Sequence, residues 1–285
     1  MYHPKQLIET LIAHPVLEGA GVRLHRGFAT PQLPRFDPFL LFDDFSSSSP
    51  EDYLGGFPMH PHRGIETVTY VLDGEVRHRD SLGNSGSIRG GDIQWMSAGS
   101  GIIHEEMPEG MGGLLGFQLW VNLPKKNKMM QPRYQDVRKN IIPVTSTSAH
   151  AEIRVIAGRV GEVSGPVADI VADPIYLDVT VSREREFIFP VPEGYTTFIY
   201  MMSGTLAHGL QEPAVHKKGA ILLFSHKGDH VAVRAGSSSA RFLLIAGKPL
   251  HEPIAWHGPI VMNTKEELHQ AFNELESGAF IKDEN

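Results

Sequence analysis

Two stretches from different halves of the chain match each other without a gap. Residues 60–74 read HPHRGIETVTYVLDG and residues 190–204 read PVPEGYTTFIYMMSG. The matched pairs are Gly64 with Gly194, Thr67 with Thr197, Tyr70 with Tyr200 and Gly74 with Gly204. Further on, GGDIQWMS in the first half matches KGAILLFS in the second. An internal repeat of this length indicates a duplicated structural unit, so we expect the chain to fold as two related halves.

Both halves have a residue pattern typical of β-structure. Short runs of Val, Ile, Leu, Phe and Tyr, broken by Gly, Asn, Asp and Ser, fill residues 22–121 and 153–245, a pattern typical of strands and tight turns. We predict an all-β fold of two barrel or sandwich domains: an N-terminal domain over residues 1–138, a linker over 139–152 and a C-terminal domain over 153–285. Near the end, TKEELHQAFNELESGAF predicts a short helix, with Thr264 as N-cap and Glu267 completing a capping box.

Composition excludes several classes of protein. The 285 residues carry a net charge of -7, which argues against unspecific nucleic-acid binding because that requires a basic surface. The chain has no cysteine, so disulfides, zinc fingers and cysteine nucleophiles are excluded. No apolar run approaches the length of a membrane span. We expect a cytoplasmic protein.

Histidines mark the one site that the residues themselves suggest. The first copy of the repeat has His60 and His62 where the second has Pro190 and Pro192, so the fold does not require histidine there. Residues two apart in a strand point to the same side, and the pair can converge on one metal ion. Alone, an HxH pair is read equally well as loop or core histidines with satisfied hydrogen bonds.

A second pair, about forty residues later, changes that balance. His104 and Glu106 are again two apart, in SAGSGIIHEEMPEG. Three imidazoles and one carboxylate on two strands of one domain would bind a divalent transition metal and leave open positions for substrate or dioxygen. The remaining histidines form no such set. We expect His226 and His230 in a surface turn, His78 on a solvated strand face, and His251 and His257 in structural contacts of the C-terminal tail.

Several long motifs resemble the pirin family of bicupins over nearly the whole chain. They are GGFPMHPHRGIETVTYVLDG, GDIQWMSAGSGIIHEEMP, DPFLLFDDF, GFQLWVNLP and AGKPLHEPIAWHGPIVMNT. The resemblance implies an all-β bicupin, with two cupin domains facing each other and a short C-terminal helix. It also implies one metal, usually Fe(II), with Mn, Ni, Cu, Co or Zn as alternatives. The metal is held in the N-terminal cupin by His60, His62, His104 and Glu106, and the C-terminal cupin binds none.

The fourth ligand departs from the general cupin pattern. Many cupins take a carboxylate from the first motif, and Glu66 stands at the right distance after His62. The stretch from Glu66 to Gly74 is one residue longer than that motif allows, which places Thr67 in register with the usual glutamate. Pirins share this departure and use the glutamate of the second motif. We therefore predict Glu106 as the ligand and Glu66 as a supporting residue.

The resemblance also implies an activity. Several pirins open a flavonol such as quercetin with dioxygen and release carbon monoxide, and Glu106 would then be the base that deprotonates the substrate hydroxyl. Phe57, Met59, Trp95, Met96 and Met107 adjoin the ligands in sequence. Aromatic and Met residues beside a barrel are usually core, and of the five Met59 and Met107 are the better candidates for apolar pocket walls. The partners would be a small aromatic substrate and dioxygen, with the protein a monomer. The alternatives are a metal-sensing regulatory protein that binds a protein partner without turnover, and a non-redox Lewis-acid enzyme.

Overall fold

The computed structural model describes residues 3–208 and 214–282, and within them the chain is built mostly of antiparallel β-strands. The first thirteen strands are β1 (Leu7–Ile12), β2 (His14–Glu18), β3 (Val22–Phe28), β4 (Phe39–Asp44), β5 (Phe57–His62), β6 (Ile65–Asp73), β7 (Glu75–Asp80), β8 (Ser85–Arg89), β9 (Ile93–Ser97), β10 (Ile102–Glu109), β11 (Leu115–Asn122), β12 (Arg133–Val137) and β13 (Val144–Ser148). The others are β14 (Ala151–Ala157), β15 (Arg159–Val160), β16 (Val163–Ser164), β17 (Ile175–Val181), β18 (Glu186–Pro190), β19 (Thr196–Ser203), β20 (Thr205–His208), β21 (Ala214–Lys217), β22 (Ala220–Phe224), β23 (His230–Ala235), β24 (Ala240–Gly247), β25 (Ala255–His257) and β26 (Ile260–Met262). The helix α1 spans Lys265–Glu276, and short 3-10 turns span Thr30–Gln32, Pro50–Asp52, Lys125–Asn127 and Lys139–Ile141.

The chain divides into two compact units, each assembled from separate segments. One, which we call the histidine unit, comprises the described parts of Pro15–Thr30, Phe39–Lys139 and Leu250–Asn285. The other, the apolar unit, comprises those of Met1–His14, Pro31–Pro38 and Asn140–Pro249. The all-β bicupin fold predicted from the sequence is confirmed, together with the C-terminal helix.

The histidine unit contains a seven-stranded sheet in the order β12-β9-β6-β11-β4-β3-β2 and a four-stranded sheet in the order β5-β10-β7-β8. β6 crosses the middle of the larger sheet, and its first seven residues are all buried. Such a strand needs bulky β-branched and aromatic residues on both faces, which Ile65, Val68 and Tyr70 supply. The unit also contains the β25-β26 hairpin and α1.

The apolar unit repeats this plan with a seven-stranded sheet in the order β1-β22-β19-β24-β17-β14-β13 and a four-stranded sheet in the order β18-β23-β20-β21. Its interior is a continuous hydrophobic cluster that includes Phe187, Phe189, Met201 and Phe242. Side chains of this size fill the space between the sheets, and burying them supplies the main favourable free energy of folding.

Packing groups the segments differently from their order along the chain. β1 pairs with β22 in the apolar unit, although it precedes every strand of the histidine unit. The C-terminal residues from Leu250 onwards belong to the histidine unit. The segment proposed as a linker, 139–152, contains β13, which pairs with β14. For β1 the cause is hydrogen bonding, because an isolated terminal strand leaves its backbone groups unpaired and the sheet edge at β22 pairs them.

The predicted helix is confirmed with its capping box. Thr264 Oγ1 accepts a hydrogen bond from the Glu267 backbone N–H at 3.1 Å, and the Glu267 carboxylate accepts one from the Thr264 N–H at 3.0 Å. Leu268, Phe272 and Leu275 lie on one face of α1 and pack on the cluster around Met262 and Phe280. Among the described residues, α1 falls well short of the length and apolar character that a membrane-crossing helix needs.

Candidate metal centre

The four predicted ligands lie on two neighbouring strands, β5 and β10. In their antiparallel pairing, His104 lies opposite His60 and Ile102 lies opposite His62. Between His104 and Glu106 the register shifts by one residue, because β5 advances from His60 to Phe57 over the same stretch. β10 keeps regular alternation, so His104 and Glu106 are buried while Ile103 and Glu105 face the other way. A β-bulge of this kind re-aims side chains and is common beside functional sites.

The three histidines converge as the sequence predicted. Ligating nitrogens of His60, His62 and His104 all lie within 4.8 Å of one another. The Nε2 atoms of His60 and His62 are 3.0 Å apart. His62 and His104 are each 1% exposed, whereas His60 is partly exposed. Buried imidazoles gathered this closely, with one edge open, are the usual arrangement of a transition-metal site.

Hydrogen bonds assign the tautomers of His60 and His62. Nδ1 of His60 lies 2.8 Å from the Pro58 carbonyl oxygen, and Nδ1 of His62 lies 3.3 Å from the Pro259 carbonyl oxygen. A carbonyl oxygen only accepts, so both rings donate through Nδ1, and each ring in its neutral form carries a lone pair on Nε2. Two lone pairs that face each other at 3.0 Å repel, and a cation beside them would remove that repulsion. The pair therefore fits a metal.

His104 gives an independent observation. Neither of its ring nitrogens has a hydrogen-bond partner among the described residues, although both are buried. A buried polar atom without a partner is rare and calls for an explanation such as an ion. Burial is the main cause that lowers the pKa of His104, to about 4, and burial with the neighbouring histidines lowers that of His62. Both rings are neutral at pH 7, as metal ligands must be.

Glu106 lies beside the cluster and is held by two hydrogen bonds. Thr69 Oγ1 donates to Oε1 at 2.9 Å, and Gln118 Nε2 donates to Oε2 at 2.8 Å. The indole N–H of Trp120 donates to Gln118 Oε1 at 3.0 Å, which fixes the orientation of the amide. Both carboxylate oxygens therefore accept hydrogen bonds. The group of nitrogens within 4.8 Å comprises the histidines alone, so the role of Glu106 as ligand stays a prediction.

Glu66 occupies a different environment. It is fully buried, and Ser97 Oγ donates to its Oε1 at 2.6 Å. Burial raises the pKa of Glu66, opposed by the hydrogen bond from Ser97. Glu66 and Thr69 are three residues apart in β6, so they point to opposite faces of the strand, and it is Thr69 that contacts Glu106.

A cavity of about 400 Å³ opens beside the cluster, with His60, His62 and Glu106 in its wall. Two tryptophans form another part of that wall. The Trp120 ring meets the His62 ring edge to face, with centroids 5.1 Å apart, and the Trp120 and Trp256 centroids are 6.0 Å apart. The volume and the mixture of aromatic and polar walls are those of a small-molecule site.

An ion-pair cluster forms a further part of the cavity wall. Arg26 donates through Nε and Nη2 to the two oxygens of Asp43, at 2.9 and 2.7 Å, and through Nη1 to Glu18 at 2.7 Å. Burial opposes the charge of Arg26, but the bonds to Asp43 and Glu18 raise its pKa. The guanidinium stays charged at every physiological pH. The one positive charge of Arg26 thus lies between two carboxylates, those of Asp43 and Glu18.

Of the five candidate wall residues one lies at the cavity, and the two favoured ones, Met59 and Met107, are not among its lining residues. Phe57 lines the cavity, whereas Trp95 and Met96 are fully buried in the interior of the unit and Met59 is 46% exposed. Met107 borders a separate surface depression with Arg77 and Glu109. The residues that sequence reasoning missed are Thr69, Gln118, Trp120, Trp256 and Pro259. Gln118 and Trp120 had a usable signal, since they alternate with buried residues in GFQLWVN.

The other histidines are not part of a second cluster within the described ranges. The expectation that His78 faces solvent was wrong: it is 6% exposed and its Nε2 lies 2.9 Å from Gln94 Nε2. In β7 the even-numbered residues point inwards, which reverses the face we assumed. In the apolar unit Pro190 lies opposite His230, whose Nδ1 bonds Asp229 at 2.6 Å.

Comparisons with known proteins identify a family and several relatives of this chain. The family model described as pirin matches residues 21–121, and the one described as the pirin C-terminal cupin domain matches residues 176–281. A pirin-like protein of Caulobacter vibrioides is 42% identical, covering 97% of this chain and 99% of that protein. Human pirin is 39% identical, covering 94% of this chain and 91% of that protein. The crystal structure of a quercetin 2,3-dioxygenase from Acinetobacter baumannii has a TM-score of 0.88 at 33% identity, covering 98% and 99% of the two chains.

Proposed function

Since the chain belongs to the pirin family, we propose that it is a metal-dependent dioxygenase that opens a flavonol such as quercetin with dioxygen. The observation that carries the proposal is the set of three clustered imidazoles beside a cavity of about 400 Å³. A similar solved structure is described as a quercetin 2,3-dioxygenase, which supports an oxidoreductase of this type.

In this proposal His60, His62 and His104 hold the metal through ring nitrogens, and Glu106 is the fourth ligand. A redox-active divalent metal, Fe(II) foremost and Mn, Ni, Cu or Co among the others, would supply electron exchange with dioxygen and Lewis acidity toward a chelating hydroxyl. The Pro58 and Pro259 carbonyl oxygens keep His60 and His62 in the Nδ1–H tautomer, which leaves each Nε2 free to bind.

Glu106 is the proposed general base for the substrate hydroxyl. Of its two oxygens, Oε1 is the better proton acceptor for a structural reason. The hydroxyl of Thr69, which donates to Oε1 at 2.9 Å, can rotate and accept a hydrogen bond instead. The amide N–H of Gln118 at Oε2 cannot accept, and the indole of Trp120 prevents the amide from turning over. The proton that leaves the substrate is therefore held on Oε1. The protonated Oε1 then donates a hydrogen bond to Thr69 Oγ1.

The cavity walls orient the substrate and exclude water. Trp120 and Trp256 offer aromatic faces to flat rings, and Leu24, Leu41 and Phe57 add apolar surface. Arg26, Asp43 and Glu18 form a polar part of the wall with two carboxylates to one guanidinium. This part suits ligand hydroxyl groups, which donate hydrogen bonds, better than it suits anionic groups.

The test is the product stoichiometry with quercetin under air. Protein loaded with Fe(II) is expected to release carbon monoxide in the same amount as quercetin is consumed. Thr69→Val removes the acceptor for the proton on Oε1 and should lower kcat by at least about tenfold, whereas Thr69→Ser keeps the hydroxyl and should restore it. Tight metal binding without carbon monoxide release would reject the dioxygenase and favour a metal-sensing regulatory protein.

A further inference from the structure

The C-terminal segment contributes a backbone atom to the proposed metal site. The Pro259 carbonyl oxygen, in the turn of the β25-β26 hairpin, lies 3.3 Å from Nδ1 of His62. Pro259 is separated from His62 by nearly two hundred residues of chain. The strength of its contact therefore depends on what holds the hairpin against the strand that contains His62.

Backbone pairing brings the segment after His62 together with the segment after Pro259. Arg63 and Ile260 form a parallel bridge, and the Val261 N–H donates to the Arg63 carbonyl oxygen at 3.1 Å. The approach is so close that a Cβ on Gly64 would lie 2.0 Å from the Val261 carbonyl oxygen. Gly64 has φ of +76°, a conformation that glycine adopts without strain.

Lys128 joins the two segments from the side. Its Nζ donates to the Gly64 carbonyl oxygen at 2.8 Å, to the Val261 carbonyl oxygen at 2.8 Å and to Asn122 Oδ1 at 2.7 Å. The residue is 2% exposed. An ammonium group has three donors, and here each has its own acceptor, although burial lowers the pKa of Lys128 to about 7. Gly64 lies two residues after His62, and Val261 lies two residues after Pro259.

We propose that Lys128 is a positioning residue of the metal site. By holding Gly64 and Val261 on one ammonium group, it fixes the Pro259 carbonyl oxygen at Nδ1 of His62. That contact keeps His62 in the tautomer whose Nε2 binds the metal. The inference rests on the proposed metal site, and it adds the C-terminal hairpin to the parts on which metal affinity depends. Partners of ligating histidines commonly change metal affinity by 10–100-fold when they are lost.

The experiment compares Lys128→Met with Lys126→Met, an exposed lysine of the same turn. Zn(II) affinity is measured by competition with a chelator, and the His62 tautomer is read from long-range ¹H–¹⁵N spectra of the metal-free protein. We expect Lys128→Met to weaken Zn(II) binding roughly 10–100-fold and to convert His62 from a single Nδ1–H tautomer to a mixture. Lys126→Met should match the wild type in both measurements.

The outcomes separate this inference from the proposed function. Equal Zn(II) affinity and an unchanged His62 tautomer in Lys128→Met would overturn the role of Lys128 and leave the dioxygenase proposal intact. If Lys128→Met does not fold, the metal-free wild type decides: an Nε2–H tautomer at His62 would overturn the inference. If the wild type binds no Zn(II) while His62 remains Nδ1–H and shifts tautomer in Lys128→Met, the positioning role stands and the metal-site proposal fails.

Discussion

Gln118 donates a hydrogen bond of 2.8 Å from Nε2 to Oε2 of Glu106, across the interior of the histidine unit. The same amide accepts from the Trp120 indole on its oxygen side. Since an indole N–H only donates, this chain of contacts fixes Gln118 as a donor and Glu106 as an acceptor. Glu106 thus reaches the cavity as an oriented carboxylate, whereas Glu66 is enclosed on the other face of β6.

Substitution of Glu106 by glutamine should weaken metal binding, whereas the same substitution of Glu66 should not. Glu106→Gln removes a proposed ligand and base, so we expect metal affinity to fall at least tenfold or so, as for losses around metal sites in general. Glu66→Gln places a neutral, hydrogen-bonding group where burial raises the pKa of the acid, and it should retain metal. The metal content of each variant is measured after loading and desalting. Loss confined to Glu66→Gln would reverse the assignment.

Metal binding should stabilise the protein through His104. A ligand present at about 100 times its Kd adds about 2.7 kcal/mol, which for a protein of 285 residues raises Tm by roughly 4–5 °C. We expect Zn(II) to produce this shift in the wild type and in His269→Gln, whose side chain is exposed on α1. His104→Gln should show no shift. A full shift in that variant would remove His104 from the ligand set.

The ion pair between Arg63 and Glu274 predicts a pH dependence of stability. Nη1 of Arg63 lies 2.7 Å from Glu274 Oε2. Burial would raise the pKa of Glu274, but hydrogen bonds from Lys282, Gln270 and Arg63 outweigh it and lower the pKa to about 2. Because the folded-state pKa is below the unfolded one, the stabilisation is complete above the ordinary pKa of 4.5 and is lost as pH falls toward 2.

Denaturant unfolding of the wild type and Glu274→Gln checks this sign. The difference in free energy of unfolding should be constant above about pH 6, where an ordinary glutamate is fully ionised, and should shrink as pH falls. Glu276→Gln, at the exposed end of α1, is the matched control. A difference that grows toward low pH would contradict the account.

Gly64 should tolerate no side chain. Gly64→Ala combines a φ of +76° with a Cβ placed 2.0 Å from the Val261 carbonyl oxygen. Gly83 has φ of +86° but open space around its Cβ position, so Gly83→Ala reports the backbone strain alone. We expect Gly64→Ala to destabilise the protein by well over about 1 kcal/mol, and clearly more than Gly83→Ala does. Equal costs would show that the hairpin is not held as closely as described.

The sequence predicted those features that depend on local periodicity. The two-residue spacing of His60 and His62, and of His104 and Glu106, placed the side chains of each pair on one face of a strand, and three histidines do converge. The internal repeat predicted two related units, and the spacing of Thr264 and Glu267 predicted the helix cap. For the histidine and glutamate pairs and for the helix cap, one strand or one turn of helix suffices to determine the arrangement.

Features that depend on distant segments were not predictable in the same way. Nothing in the local pattern around Trp256 or Pro259 indicates that the C-terminal hairpin lies beside His62. The pairing of β1 with β22 likewise joins opposite parts of the chain. The prediction for His78 failed for another reason. The residues of EVRHRD alternate between the two faces, but the arginines point outwards and the histidine points inwards. Alternation gives the period, and the face must come from tertiary packing.

Oxygen uptake by metal-free protein reloaded with single metals tests the central claim most directly. Fe(II), Mn(II), Ni(II), Cu(II), Co(II) and Zn(II) are each added with quercetin, and Glu106→Gln is run beside the wild type. We predict uptake that requires a redox-capable metal, is absent with Zn(II), and collapses in Glu106→Gln. Tight binding of every metal without oxygen uptake would contradict the proposed dioxygenase.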